Sequence, residues 1–148
     1  MLFDQISADI KAAMLARDKV RLETLRNIKK VFLEAKSAPG ANDQLADDAA
    51  MKILQKLAKQ GKESAATYTQ QNRPDLAADE LAQVAVIEEY LPKALSEAEI
   101  EAIVKEVIAT TGAASMKDMG KVMGMASKKM AGQADGGTIS AIVKKLLA

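Results

Sequence analysis

Apolar residues at Leu2, Ile6, Ile10 and Met14 recur every fourth position, the step that keeps side chains on one face of an α-helix. They predict a first helix ending near Arg17-Asp18. Leu22, Leu25, Ile28 and Phe32 predict a second, stopped where Ser37-Ala38-Pro39-Gly40 removes a backbone donor and supplies turn residues. After a loop to about Leu45, Met51, Leu54, Leu57 and Ala58 predict a third helix over Asp47 to Tyr68. Gly61 falls inside it and costs about 1 kcal/mol relative to alanine, so fraying or close packing is expected there. Pro74 suits a first helical position and opens a fourth helix running to about Tyr90, before Leu91-Pro92.

Beyond Pro92 the pattern is punctuated differently. Ser96-Glu97-Ala98-Glu99 has the spacing of a capping box, in which serine and glutamate each satisfy an orphan backbone donor. Ile100, Ile103, Val104, Val107 and Ile108 follow on one helical face, and Gly112 ends the run. Ser115-Met116-Lys117-Asp118 repeats the serine start and predicts a second helix to Gly132. Asp135 caps a third, with Ile139, Ile142, Val143 and Leu146 inward. Period-two alternation is absent. The expected fold is therefore all-α: an N-terminal domain of about four helices over residues 1–92 and a small three-helix domain over 96–148.

Composition supports the boundary. Six of eight glycines and five of eight methionines lie beyond Pro92, and all four aromatic residues lie before it. The chain of 148 residues has no histidine and no cysteine, which removes Ser-His and Cys-His nucleophile pairs, zinc and iron–sulfur sites, and disulfides. No metal or cofactor is expected, and catalysis would have to run on carboxylates, lysines and hydroxyls. Asp47-Asp48 and Glu88-Glu89 do not make acid–base pairs, because helical neighbours point about 100° apart. With Asp4 and Asp9 so early no signal peptide is expected, and no run approaches a membrane span. A cytoplasmic protein with no membrane partner is the simplest expectation.

The net charge of +1 conceals a local split. Lysines 117, 121, 128, 129, 144 and 145 dominate the last two helices, while Glu97, Glu99, Glu101 and Glu106 make the preceding one acidic. On a helical projection Met116, Met119, Met123, Ser127 and Met130 gather on one side as the expected core face, and Lys117, Lys121 and Lys128 fall within about 40° of each other on another, with Gly124 among them. Ammonium groups flanking bare backbone can approach a phosphate chain closely; the plainer reading is a solvated helix face. Gly132-Gln133-Ala134-Asp135-Gly136-Gly137 lacks the glycine-lysine-hydroxyl ending of a phosphate loop and reads as a capped turn. In the N-terminal half, Lys19, Arg26 and Lys30 lie near Glu23 and Glu34, so mixed salt bridges are expected. Arg21 projects onto the apolar flank, as a snorkelling edge residue or an interdomain ion-pair donor.

The run Gly112-Ala113-Ala114-Ser115-Met116-Lys117-Asp118-Met119-Gly120-Lys121-Val122-Met123-Gly124, then Gly132-Gln133-Ala134-Asp135-Gly136, resembles the signature of the GatB/YqeY-domain family. Asp75-Leu76-Ala77 and Ile87-Glu88-Glu89-Tyr90-Leu91-Pro92 extend the likeness to its stand-alone YqeY-like members. The sequence departs from the pattern at Ala114, usually serine, at Gln133, usually basic, and at Gly61. The resemblance implies a C-terminal domain similar to the tail of the B subunit of glutamine-dependent tRNA amidotransferase, where that tail touches tRNA. It also implies a carbon–nitrogen ligase label, with glutamine as amido-N-donor, by kinship. The catalytic part of that subunit and the glycine- and serine-rich amidase signature are absent, so amide transfer by this chain alone is not expected. Two further readings stay open: a protein-interaction adaptor using the groove between the domains or the methionine-rich helix, and an enzyme built on carboxylates and lysine. The leading expectation is a non-catalytic accessory module that engages tRNA or a tRNA-amidation complex through Lys117, Lys121, Gly124 and Lys128.

Overall fold

The computed structural model describes residues 1–148 as seven α-helices and one 3-10 turn. Contacts divide the chain into two compact units, Met1–Leu91 and Pro92–Ala148. In the first unit, α1 (Leu2–Ala16) and α2 (Lys19–Lys36) form a hairpin, and α3 (Asp47–Gln70) and α4 (Pro74–Glu88) form a second. Their shared core contains Ile6, Ala13, Leu25, Ile28, Phe32, Leu54, Val84 and Ile87.

The four-residue stripe of α1 is not wholly the buried one. A step of four advances the face by about 40°, so over three steps Met14 has rotated away from Leu2 and stands 52% exposed. Ile6 and Ala13, seven residues apart and nearly in phase, are the buried pair. α3 shows no fraying at Gly61; it packs so closely there that a Cβ would lie 2.5 Å from Val84 Cγ2. Pro74 takes the first turn of α4, which ends at Glu88.

Polar contacts fasten the end of this unit. Arg21 donates to Glu89, the main reason its guanidinium pKa is raised above the ordinary value. The Tyr90 hydroxyl donates to Asp9, and burial, followed by that bond, pushes its pKa up. Arg21 is thus committed within its own unit. The mixed salt bridges expected around Lys19, Arg26 and Lys30 do not form; exposed pairs of this kind gain only about 0.3–0.5 kcal/mol, so the fold loses little without them. The adjacent carboxylates are used singly: Asp47 accepts from the Leu2 N–H at 2.9 Å, and Glu88 pairs with Lys62 at 2.8 Å.

The second unit is a three-helix bundle: α5 (Glu97–Thr111), α6 (Met119–Lys129) and α7 (Gly136–Leu147). The core takes Ile100, Val104 and Val107 from α5, Val122 and Ala126 from α6 with Met130 just past its end, and Ile139, Val143 and Leu147 from α7. Both bonds of the Ser96–Glu99 capping box are made, and Gly112 closes α5 in a left-handed conformation at φ 70°.

Candidate nucleic-acid interface

Two local features position α6. The chain does not enter it directly from Ser115 as expected; Met116–Asp118 form a 3-10 turn, and the α-helix begins at Met119. Ser115 caps that turn, accepting from the Lys117 N–H at 3.4 Å. Asp118 accepts from the Ala114 N–H at 3.2 Å, folding the preceding loop onto the turn. The helix ends at Lys129, short of Gly132, which adopts φ 76°.

The core face differs from the expected one. Val122 and Ala126 are completely buried together with Met130, while Met119, Met123 and Met125 flank them and Met116 is 45% exposed. The buried face is thus rotated by about 60° from the methionine stripe, and it lies opposite Lys121, Gly124 and Lys128.

Lys117, Lys121, Gly124 and Lys128 are all exposed. None of the three ammonium groups has a carboxylate within ion-pair distance. Lys117 stands on the 3-10 turn, and the other three residues belong to the outward face of α6. A Cβ built on Gly124 would touch nothing, and the same holds for Gly120. Packing therefore does not require glycine at position 124, although it weakens the helix by about 1 kcal/mol relative to alanine. The face offers an uncovered backbone strip between cations, with Asp118 as the acidic group at its start.

One further lysine of the basic segment has different work. Lys129 pairs with Glu106 at 3.3 Å, joining α6 to α5, and sequence proximity alone could not separate it from Lys128. Lys105 pairs with Glu101 one turn back on α5. The loop before α7 is a capped turn: Asp135 accepts from the Thr138 N–H at 3.3 Å. A Cβ on Gly137 would come within 3.1 Å of that carboxylate, which occupies the helix start where a phosphate would have to sit. Gln133 stitches the segment before α5 to this loop, its carbonyl accepting from the Leu95 N–H at 2.9 Å and its amide donating to the Lys93 carbonyl at 3.4 Å. No group of acidic, histidine or cysteine side chains is placed to hold a metal ion.

A family model described as Yqey-like protein matches residues 3–147. The chain belongs to that family. Among curated proteins, it is similar to "Altered inheritance of mitochondria protein 41, mitochondrial" of Meyerozyma guilliermondii, with 36% identity over 86 residues, 58% of this chain and 44% of the relative. The protein of the same name from Lachancea thermotolerans is 30% identical over 105 residues, 70% of this chain and 56% of that one. The one from Pyrenophora tritici-repentis is 27% identical over 136 residues, 90% of this chain and 74% of that one. The chain thus spans about half the length of the first two relatives. These names correct the cytoplasmic placement expected from the sequence, since the relatives are mitochondrial proteins by name. Compartment is set by targeting signals and not by helix packing, so the residues that carry the fold could not have decided it.

Proposed function

We propose that this YqeY-like protein is a non-catalytic accessory module that engages tRNA, or a complex modifying tRNA, through Lys117, Lys121, Gly124 and Lys128. The observation that carries the reading is Gly124: a glycine in mid-helix, opposite the core, with no neighbour that requires it and unpaired lysines on either side. Bare backbone between cations suits a phosphate chain, which can come close enough for short contacts to ammonium groups. The unit has no aromatic residue on which unpaired bases could stack, so recognition goes through backbone and shape. The relatives' names point to a mitochondrial setting.

The methionine-rich helix gives the adaptor reading little support, because four of its five methionines pack on or against the core. Co-purification at mild salt tests the proposal. RNA should accompany the wild-type chain and be lost from a Lys117→Glu, Lys121→Glu, Lys128→Glu variant that stays folded. Recovery of a protein partner without RNA would overturn it.

A further inference from the structure

The tip of the α1–α2 hairpin is unlike the rest of the surface. Three of the seven large apolar side chains that stand exposed are found within seven residues there: Met14 at 52%, Leu15 at 87% and Val20 at 43%. Leu15 projects almost directly away from Ile6 and Ala13, along a face that also carries the exposed Ala8 and Ala12. Exposed cations surround it: Lys11 one turn before, and Arg17 and Lys19 in the turn itself. Asp18, exposed between Arg17 and Lys19, accepts from the Arg21 N–H at 3.1 Å as the α2 cap and offsets one of these cations, so that Lys11, Arg17 and Lys19 still outnumber it, and Glu23 lies a turn further along.

The turn is closed by backbone hydrogen bonds and carries a cost. Arg17 donates to the Met14 carbonyl at 3.2 Å, and Asp18 to the Ala13 carbonyl at 3.1 Å, the paired bonds of a Schellman helix end. Such an end favours glycine at its left-handed position, yet Arg17 holds φ 57° there. A cation is thus kept at the outermost point of the hairpin against the backbone's preference.

We infer that this tip docks on an anionic lipid surface, with Met14, Leu15 and Val20 entering the headgroup layer and Lys11, Arg17 and Lys19 facing the lipid charges. A convex end with three apolar side chains is small for a protein interface of about 800 Å² per partner. It suffices for shallow, reversible insertion supported by cations. No helix is long and apolar enough to cross a membrane, so the association would be peripheral. This departs from the expectation of no membrane partner, which weighed only leader and spanning segments.

The test is co-sedimentation of the full chain with vesicles of equal parts phosphatidylcholine and phosphatidylserine, and with phosphatidylcholine alone. Binding should occur to the anionic vesicles, weaken with salt, and be much poorer on the neutral ones. Leu15→Asp, on a side chain exposed enough to leave folding intact, should lower partition by about tenfold or more. Each charge removal, Lys11→Gln, Arg17→Gln or Lys19→Gln, should cost about fivefold. Lys117→Glu, Lys121→Glu, Lys128→Glu should bind vesicles like the wild type, which separates this surface from the proposed tRNA face. Absence of binding to anionic vesicles at low salt, or binding unchanged by Leu15→Asp, would overturn the inference. So would lipid-free self-association abolished by Leu15→Asp, because the occupant of the tip would then be a second copy.

Discussion

Replacing Gly124 by alanine separates what α6 needs for folding from what its outer face is kept for. The added methyl meets no atom of the protein, and the position lies opposite Val122 and Ala126, so the core is untouched. The remaining effect is the helical preference of alanine over glycine, about 1 kcal/mol, expressed partly through a less flexible unfolded chain. In a unit of this size that corresponds to a rise in Tm of about 4–8 °C. Thermal unfolding by circular dichroism measures it, and amide exchange along α6 assigns the gain to the second unit. The same methyl stands where a phosphate chain would approach, so tRNA affinity should fall while stability rises. A loss of stability would refute the reading that nothing inside the fold depends on Gly124. A gain in both stability and affinity would refute the claim that bare backbone is part of the contact.

Gly61→Ala should have the opposite sign in the first unit: its Cβ would meet the stiff, buried Val84 side chain, and overpacking of about 1–3 kcal/mol outweighs the propensity gain, read as a lower denaturant midpoint. Ser96→Ala removes half of the capping box and should cost about 1 kcal/mol of second-unit stability in the same assay. Lys129→Ala should change stability by less than about 0.5 kcal/mol, because its pair with Glu106 is exposed, and should weaken tRNA binding less than Lys128→Ala. Tyr90, whose folded-state pKa is raised by burial and by Asp9, contributes stability fully present below about pH 10 and lost as pH rises further; Tyr90→Phe should flatten that alkaline decline in unfolding free energy.

Features that depend on neighbouring residues were readable from the chain: the Ser96 and Asp135 caps, Pro74 at a helix start, and the glycine stop at position 112. What escaped depends on phase or on distant partners. A 3-10 turn turns about 120° per residue instead of 100°, and nothing in Ser115-Met116-Lys117-Asp118 distinguishes it from a helix start. Of the methionines expected to form the core face around α6, Met130 is completely buried, whereas the other deepest positions went to Val122 and to Ala126, whose small side chain lets helices approach closely. That Lys121, Gly124 and Lys128 share an exposed face of α6 was legible, because they repeat at helical spacing. The role of Lys129 was not, since Glu106 is 23 residues away in sequence. The exposure of Leu15 was likewise hidden, because an apolar residue on a helix carries no mark of which side the core will take.

The account turns on whether the α6 face binds tRNA through phosphates, and the salt dependence of tRNA affinity measures that directly. Three lysine contacts should give a slope of log K against log salt of about −2 to −3, and Lys117→Glu, Lys121→Glu, Lys128→Glu should abolish it without unfolding the unit. A flat line for the wild type, or a slope unchanged by the triple reversal, would contradict the account.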